Sequence, residues 1–113
     1  MKSSHALAAV LAALSLFVIS GAARAQVDAD AAQALAKKSK CTTCHAVDKK
    51  KDGPSFKETA AKYKGKPDGA EKLFKHLTTN PTIKVDGKEE THEGPKTKNE
   101  AEIKNLIAWI LSL

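Results

Sequence analysis

The chain has 113 residues and a formal net charge of +6, with 19 basic residues against 13 acidic ones. This length limits the chain to one compact domain. Beyond residue 25 the basic residues are all lysine. Arginine is the residue best suited to bidentate recognition of phosphates and bases, so the composition argues against nucleic-acid binding.

The first 25 residues have the pattern of a secretory signal peptide. A short basic start with Lys2 precedes residues 6–19, which are apolar at 13 of 14 positions, and Ala23-Arg24-Ala25 is a small-x-small cleavage pattern. About 20 apolar residues are needed to cross a bilayer, so the stretch is too short for a membrane helix. We expect residues 1–25 to be removed on export. Residues 26–113 then form a single periplasmic domain that does not span a membrane.

The rest of the chain predicts an all-α fold of short helices, because no period-two alternation is long enough for a convincing strand. Helical patterns begin at Asp28 or Asp30, at Ser55, at Asp68 and at Asn99. The second, third and fourth of these starts have a glutamate three residues after the cap, and at Ser55 and Asn99 this pair is typical of a capping box. The last helix has the clearest apolar face, formed by Ile103, Leu106, Ile107, Ile110 and Leu111.

Between the first two predicted helices lies the motif Cys41-Thr42-Thr43-Cys44-His45. A thioredoxin-like pair is typical of a βαβ context, and a zinc knuckle needs further ligands at matching spacing; the sequence offers neither. Cys-x-x-Cys-His is the attachment signature of a c-type haem, in which both thiols add to the haem vinyl groups and the histidine binds the iron. We therefore expect one covalent haem c, held by Cys41, Cys44 and His45. An ordinary disulfide is the alternative.

A bound haem also explains why the sequence predicts only a small apolar core. Only four aromatic residues lie beyond residue 25, and a domain of this size buries little apolar surface by itself. Because a haem is a large, flat, mostly apolar group, its burial supplies the missing contacts. We expect the fold to depend on it.

Over residues 28–113 the chain resembles the small monohaem class I cytochromes c of bacteria. The resemblance rests on the haem motif and on four segments that follow in the family's order: Ala46-Val47-Asp48, Gly53-Pro54-Ser55-Phe56, Ala60-Ala61-Lys62-Tyr63 and Ala108-Trp109-Ile110-Leu111. It implies the cytochrome c fold, in which short helices wrap around one haem. It also implies that the Pro54 carbonyl accepts a hydrogen bond from the imidazole of His45, which would orient that ring and tune its basicity.

The chain departs from this family at the second axial ligand of the iron. The family normally supplies a methionine from the loop before the last helix, whereas the only methionine here is Met1. His92 has a similar position, seven residues before the expected cap Asn99, and a neutral imidazole binds iron well. We expect His45 and His92 to be the iron ligands. The alternatives are His76, which is expected at the solvent edge of the third helix, no protein group, or one of Asn80, Lys84, Lys88 and Lys96.

The predicted function is one-electron transfer between periplasmic proteins. An iron with both axial positions filled offers no substrate site, so we expect a carrier with no catalytic residues. The alternative is binding or sensing of nitric oxide, carbon monoxide or oxygen at a labile or open sixth position. Exposed lysines such as Lys49, Lys50 and Lys51 would attract a redox partner with an acidic docking surface.

Overall fold

The structure is a computed structural model that describes residues 26–113, so the predicted signal peptide lies outside the described residues. The described part is mostly helical, which confirms the predicted fold class. No helix within residues 26–113 is long and apolar enough to cross a bilayer. The elements are α1 (Ala29–Lys38), a short 3₁₀ turn (Cys41–Thr43), α2 (Phe56–Tyr63), α3 (Gly69–Thr78), β1 (Thr82–Val85), β2 (Lys88–Thr91) and α4 (Glu100–Leu111).

Helix α4 lies at the centre of the fold, with α1, α2 and α3 all packed against it. Its buried side chains belong to two apolar clusters. One cluster joins α4 to α1 and α2 and includes the edge-to-face pair of Trp109 and Phe56, whose ring centres are 5.5 Å apart. The other joins Ile103 and Ile107 to Leu73 of α3. The apolar face predicted for α4 is therefore the face that binds the other helices.

The helix starts agree with the predicted caps in part. Ser55 and Glu58 form the complete capping box of α2, with hydrogen bonds of 3.0 and 2.7 Å between each side chain and the other residue's N–H. Asn99 caps α4 by accepting from the N–H of Ala101. The capping box predicted there is wrong, because the Glu102 carboxylate accepts from the hydroxyl of Thr97 instead.

A two-stranded antiparallel hairpin follows α3, where the sequence predicted no strand. Thr82 of β1 pairs with Thr91 of β2, and Asp86-Gly87 forms the turn with φ of 49° and 78°. Every residue of β2 is exposed, so the strand lacks the apolar alternation by which strands are recognised. Asp-Gly is the signal that could have predicted this turn, since both central positions of a type I′ turn need positive φ. The hairpin ends immediately before His92.

Candidate functional site

The two cysteines lie in the tight turn that follows α1. Lys40 has a left-handed φ of 60°, which ends α1 and starts the turn. The carbonyl of Cys41 then accepts hydrogen bonds from the N–H groups of Cys44 and His45, at 3.2 and 3.0 Å. Both cysteines are half-buried, and they form no disulfide with each other. Burial raises the pKa of the Cys41 thiol, because the thiolate is poorly solvated there.

The ring of His45 is fixed by residues that follow it closely in the chain. Its Nδ1 donates to the carbonyl oxygen of Pro54 at 2.6 Å, which leaves Nε2 with a lone pair for a metal ion. Phe56 stacks on the ring with 5.4 Å between ring centres. A Cβ at Gly53 would lie 2.6 Å from Cε1 of His45, so only glycine fits beside this ring. Sequence analysis named Gly53 only as part of the segment Gly53-Pro54-Ser55-Phe56 and missed this role.

His92 lies at the end of the hairpin, where backbone contacts with the end of α3 hold it. Its N–H donates to the carbonyl of Pro81 at 2.8 Å. Two residues later, the N–H of Gly94 donates to Oδ1 of Asn80 at 3.1 Å. The backbone of Gly94 lies so close to the carbonyl of Leu77 that a Cβ at position 94 would overlap it. Position 94 therefore needs glycine for packing against α3.

The imidazole of His92 is suited to metal binding. The ring is half-buried, and its Nδ1 is fully buried without a hydrogen-bond partner among residues 26–113. A buried imidazole nitrogen of this kind is costly unless something binds it. Burial lowers the pKa of His92, and the nearby imidazoles of His76 and His45 lower it further. A lower pKa favours the neutral form of the ring, which is the form that ligates metals.

The imidazole rings of His45 and His92 lie at a separation that fits one metal ion between them. Their ring centres are 6.2 Å apart. A metal–imidazole bond is about 2.0–2.1 Å long and the nitrogen lies about 1.1 Å from its ring centre, so two such ligands on opposite sides of one ion have centres roughly 6 Å apart. The observed separation and the unpartnered nitrogen of His92 both fit an iron between the two rings.

The third histidine of the described chain joins the same cluster. His76 is exposed on α3, as expected, but its ring centre lies only 4.3 Å from that of His92. Sequence reasoning placed His76 at the edge of its helix and missed this contact. The other alternative ligands are not part of this histidine cluster. Three of them are exposed lysines, Lys84, Lys88 and Lys96, and the side-chain oxygen of Asn80 accepts a hydrogen bond from the N–H of Gly94.

Comparisons with known proteins place the chain among cytochromes c. The cytochrome c family model matches residues 29–113. Cytochrome c-551 of Azotobacter vinelandii is 41% identical over 75 residues, covering 64% of this chain and 84% of that protein. Cytochrome c-552 of Nitrosomonas europaea is 38% identical over 100 residues, covering 79% and 81%. The crystal structure of the class 1 cytochrome MtoD from Sideroxydans lithotrophicus ES-1 is similar with a TM-score of 0.73 and 48% identity, covering 77% of this chain and 97% of that one.

Proposed function

Because the chain belongs to the cytochrome c family and carries one covalent haem c, we propose that it is a periplasmic electron carrier whose iron is ligated by His45 and His92. Haem-based electron transfer is the function of the family's small members. The observation that carries the ligand assignment is the 6.2 Å separation of the two imidazole centres. Nothing in the relatives favours the alternative of binding a diatomic gas.

The haem supplies a one-electron change between ferric and ferrous iron. The residues around it would provide the same ligands in both oxidation states. His45 presents Nε2, while its Nδ1 remains bound to the Pro54 carbonyl, a partner that orients the ring and raises its basicity. His92 presents a neutral ring on the opposite side. With an imidazole on each side, no water or substrate has to enter or leave when an electron is transferred.

Cys41 and Cys44 are the proposed attachment residues. Support comes from the 3₁₀ turn, in which the N–H groups of Cys44 and His45 both donate to the carbonyl of Cys41 and so keep the three residues in one compact segment. Covalent attachment fixes the cofactor beside His45, so His45 cannot move away from the iron without deforming this turn. We propose that the attachment takes place after export, with residues 1–25 as the export signal.

The proposed partner is a redox protein with an acidic surface. Lys49, Lys50 and Lys51 are all exposed, and they follow the haem motif directly. The ammonium group of Lys51 donates to the carbonyl of Thr42 at 2.9 Å, which holds this positive charge next to the cysteine turn. A positive surface here would accelerate the encounter with an acidic partner most strongly at low salt.

The ligand assignment is tested by comparing His92→Ala with His76→Ala in the ferric and ferrous holoprotein. We expect the unaltered protein to be low-spin without a sulfur-to-iron charge-transfer band. His92→Ala should become high-spin in the ferric state and bind carbon monoxide readily in the ferrous state, because the sixth position opens. His76→Ala should remain low-spin.

Two results would contradict the assignment. If His92→Ala leaves both spectra unchanged while His76→Ala becomes high-spin, the ligand is His76. A potential in the range of methionine-ligated relatives would also argue against two histidines, since methionine ligation raises the potential and axial ligands shift it over about 0.8 V.

A further inference from the structure

We propose that His76 is a positioning residue for His92, whose imidazole plane it fixes by packing against the ring. This inference rests on the proposed ligation by His45 and His92. It assigns a role to a histidine that would otherwise be an ordinary exposed residue of α3.

The packing of the two rings is close. Their centres lie 4.3 Å apart, with an angle of 48° between the planes, which is within the range of direct ring contact. His76 is exposed, whereas His92 is half-buried with its Nδ1 completely covered. The more exposed ring of His76 therefore packs against the less exposed ring of His92. Because His76 belongs to a regular helix, it offers a firmer support than a residue of the hairpin would.

Other contacts position the backbone of His92 but leave its ring free to rotate. The hydrogen bonds to Pro81 and Asn80 both come from main-chain N–H groups. The last side-chain torsion of a histidine has a broad energy profile, so a fixed backbone does not fix the ring plane. Packing or a hydrogen bond to the ring has to do that.

The two proposed ligands differ in how this requirement is met. The ring of His45 is oriented by the Pro54 carbonyl, as is usual for a metal-binding histidine. The ring of His92 makes no hydrogen bond through either nitrogen within residues 26–113. The described structure instead has the ring of His76 against it. Packing by His76 thus replaces the hydrogen bond that orients the first ligand.

The consequence is measurable because the planes of the two ligand rings differ by 62°. The g values of a low-spin ferric haem depend on the angle between the planes of its two axial imidazoles. Two planes at a large angle to each other give a large maximum g value. If His76 holds the plane of His92, its removal changes or broadens this signal while both ligands stay bound.

The experiment compares His76→Ala, His76→Phe and the control Lys75→Ala, an exposed neighbour on the same helix. The ferric holoproteins are measured by electron paramagnetic resonance, and the ferrous forms by their rate of carbon monoxide binding. His76→Ala should broaden or shift the low-spin signal and speed carbon monoxide binding by about tenfold, the lower end of the effect of removing a ligand's supporting partner. His76→Phe should resemble the unaltered protein because it keeps a planar ring, and Lys75→Ala should change neither quantity.

The outcomes separate this inference from the ligand assignment. A spectrum without bis-imidazole low-spin character in the unaltered protein refutes the assignment itself. If that character is present but His76→Ala leaves the signal and the rate unchanged, the positioning role is refuted. The same holds if His76→Phe behaves like His76→Ala, or if His76→Ala turns the iron fully high-spin. Far-ultraviolet circular dichroism checks that each variant is folded, as expected for substitutions at an exposed position.

Discussion

The two sides of the proposed haem site are built from different kinds of structure. On the first side, His45 and the residues that surround its ring all lie within residues 41–56. On the second side, His92 follows a hairpin and is held by the distant end of α3. The first proposed ligand therefore depends on a short segment that includes the proposed attachment cysteines, while the second depends on tertiary contacts.

This difference implies unequal stability of the two ligands. Exposed hairpins and the loops next to them open locally at a lower free-energy cost than the central helices of a domain. An opening that separates the loop from α3 would release His92 while α4 and its apolar clusters stay packed. His45 would have no comparable route, because it directly follows Cys44, a proposed attachment residue. We expect substitutions on the two sides to have distinct spectroscopic consequences.

The largest effect should come from removing the covalent attachment with Cys41→Ala and Cys44→Ala together. Both sides then lose the cofactor that they enclose, and the two small apolar clusters must sustain the fold alone. We expect no stable folded product after periplasmic expression, measured by haem staining and circular dichroism. The matched control is Thr42→Ala with Thr43→Ala, at exposed positions between the cysteines. A soluble, helical apoprotein that unfolds cooperatively would contradict this prediction.

The second prediction concerns the His92 side and the variant Gly94→Ala. The added Cβ would overlap the carbonyl of Leu77, and backbone atoms of a helix yield little. Overpacking of this kind costs about 1–3 kcal/mol, so the loop should move away from α3 and take His92 with it. We expect high-spin ferric iron and carbon monoxide binding in the ferrous state. Gly87→Ala in the hairpin turn is the control, because it strains a positive φ without any contact within 4 Å. A Gly94→Ala protein that remains fully low-spin would show that the loop does not control the ligand.

The third prediction concerns the His45 side and the variant Gly53→Ala. Its Cβ would lie 2.6 Å from Cε1 of His45 and push the ring away from the Pro54 carbonyl. Since the proposed attachment through Cys44 would keep His45 beside the iron, the protein should stay low-spin. The potential should rise, because an imidazole without its hydrogen-bond acceptor donates less electron density to ferric iron. Gly65→Ala, which has open space around it, should leave the potential unchanged in the same redox titration. A high-spin Gly53→Ala protein would remove the distinction between the two sides.

The same distinction explains how much could be predicted from the sequence. Cys41, Cys44, His45 and Pro54 are close in the chain, so a motif and a family resemblance were enough to propose their roles. The four helices were predictable because their caps and apolar faces are local patterns. His92 could be proposed from its place in the chain, but not the contacts that hold it.

The missed features all depend on contacts between distant segments. His76 was judged only from its position on a helix, which gives its exposure correctly but contains no information about the loop that returns to it. The roles of Gly53 and Gly94 follow from side chains or carbonyls that approach them in three dimensions. The hairpin was missed because its exposed second strand lacks alternation, although Asp86-Gly87 is a recognisable turn signal.

The smallest effect is expected from Asn80→Gly, which removes one hydrogen bond from the His92 side. Asn80 has a positive φ of 47°, so glycine deletes the side chain without the backbone strain that alanine would add. The lost bond to the N–H of Gly94 is worth about 0.5–1.5 kcal/mol, which corresponds to an increase of up to roughly tenfold in the population with the loop open.

The ferric protein should still appear low-spin, because the closed form remains dominant. The change should appear in the rate at which carbon monoxide traps the ferrous protein, since trapping requires His92 to leave. The matched control is Asp86→Gly, which deletes a side chain at a φ of 49° in the hairpin turn and removes no contact to α3. If Asn80→Gly traps carbon monoxide no faster than Asp86→Gly does, the hydrogen bond between Asn80 and Gly94 contributes nothing to holding the ligand. In that case His92 is held only by the hydrogen bond to the Pro81 carbonyl, by its contact with His76 and by the packing of the loop at Leu77.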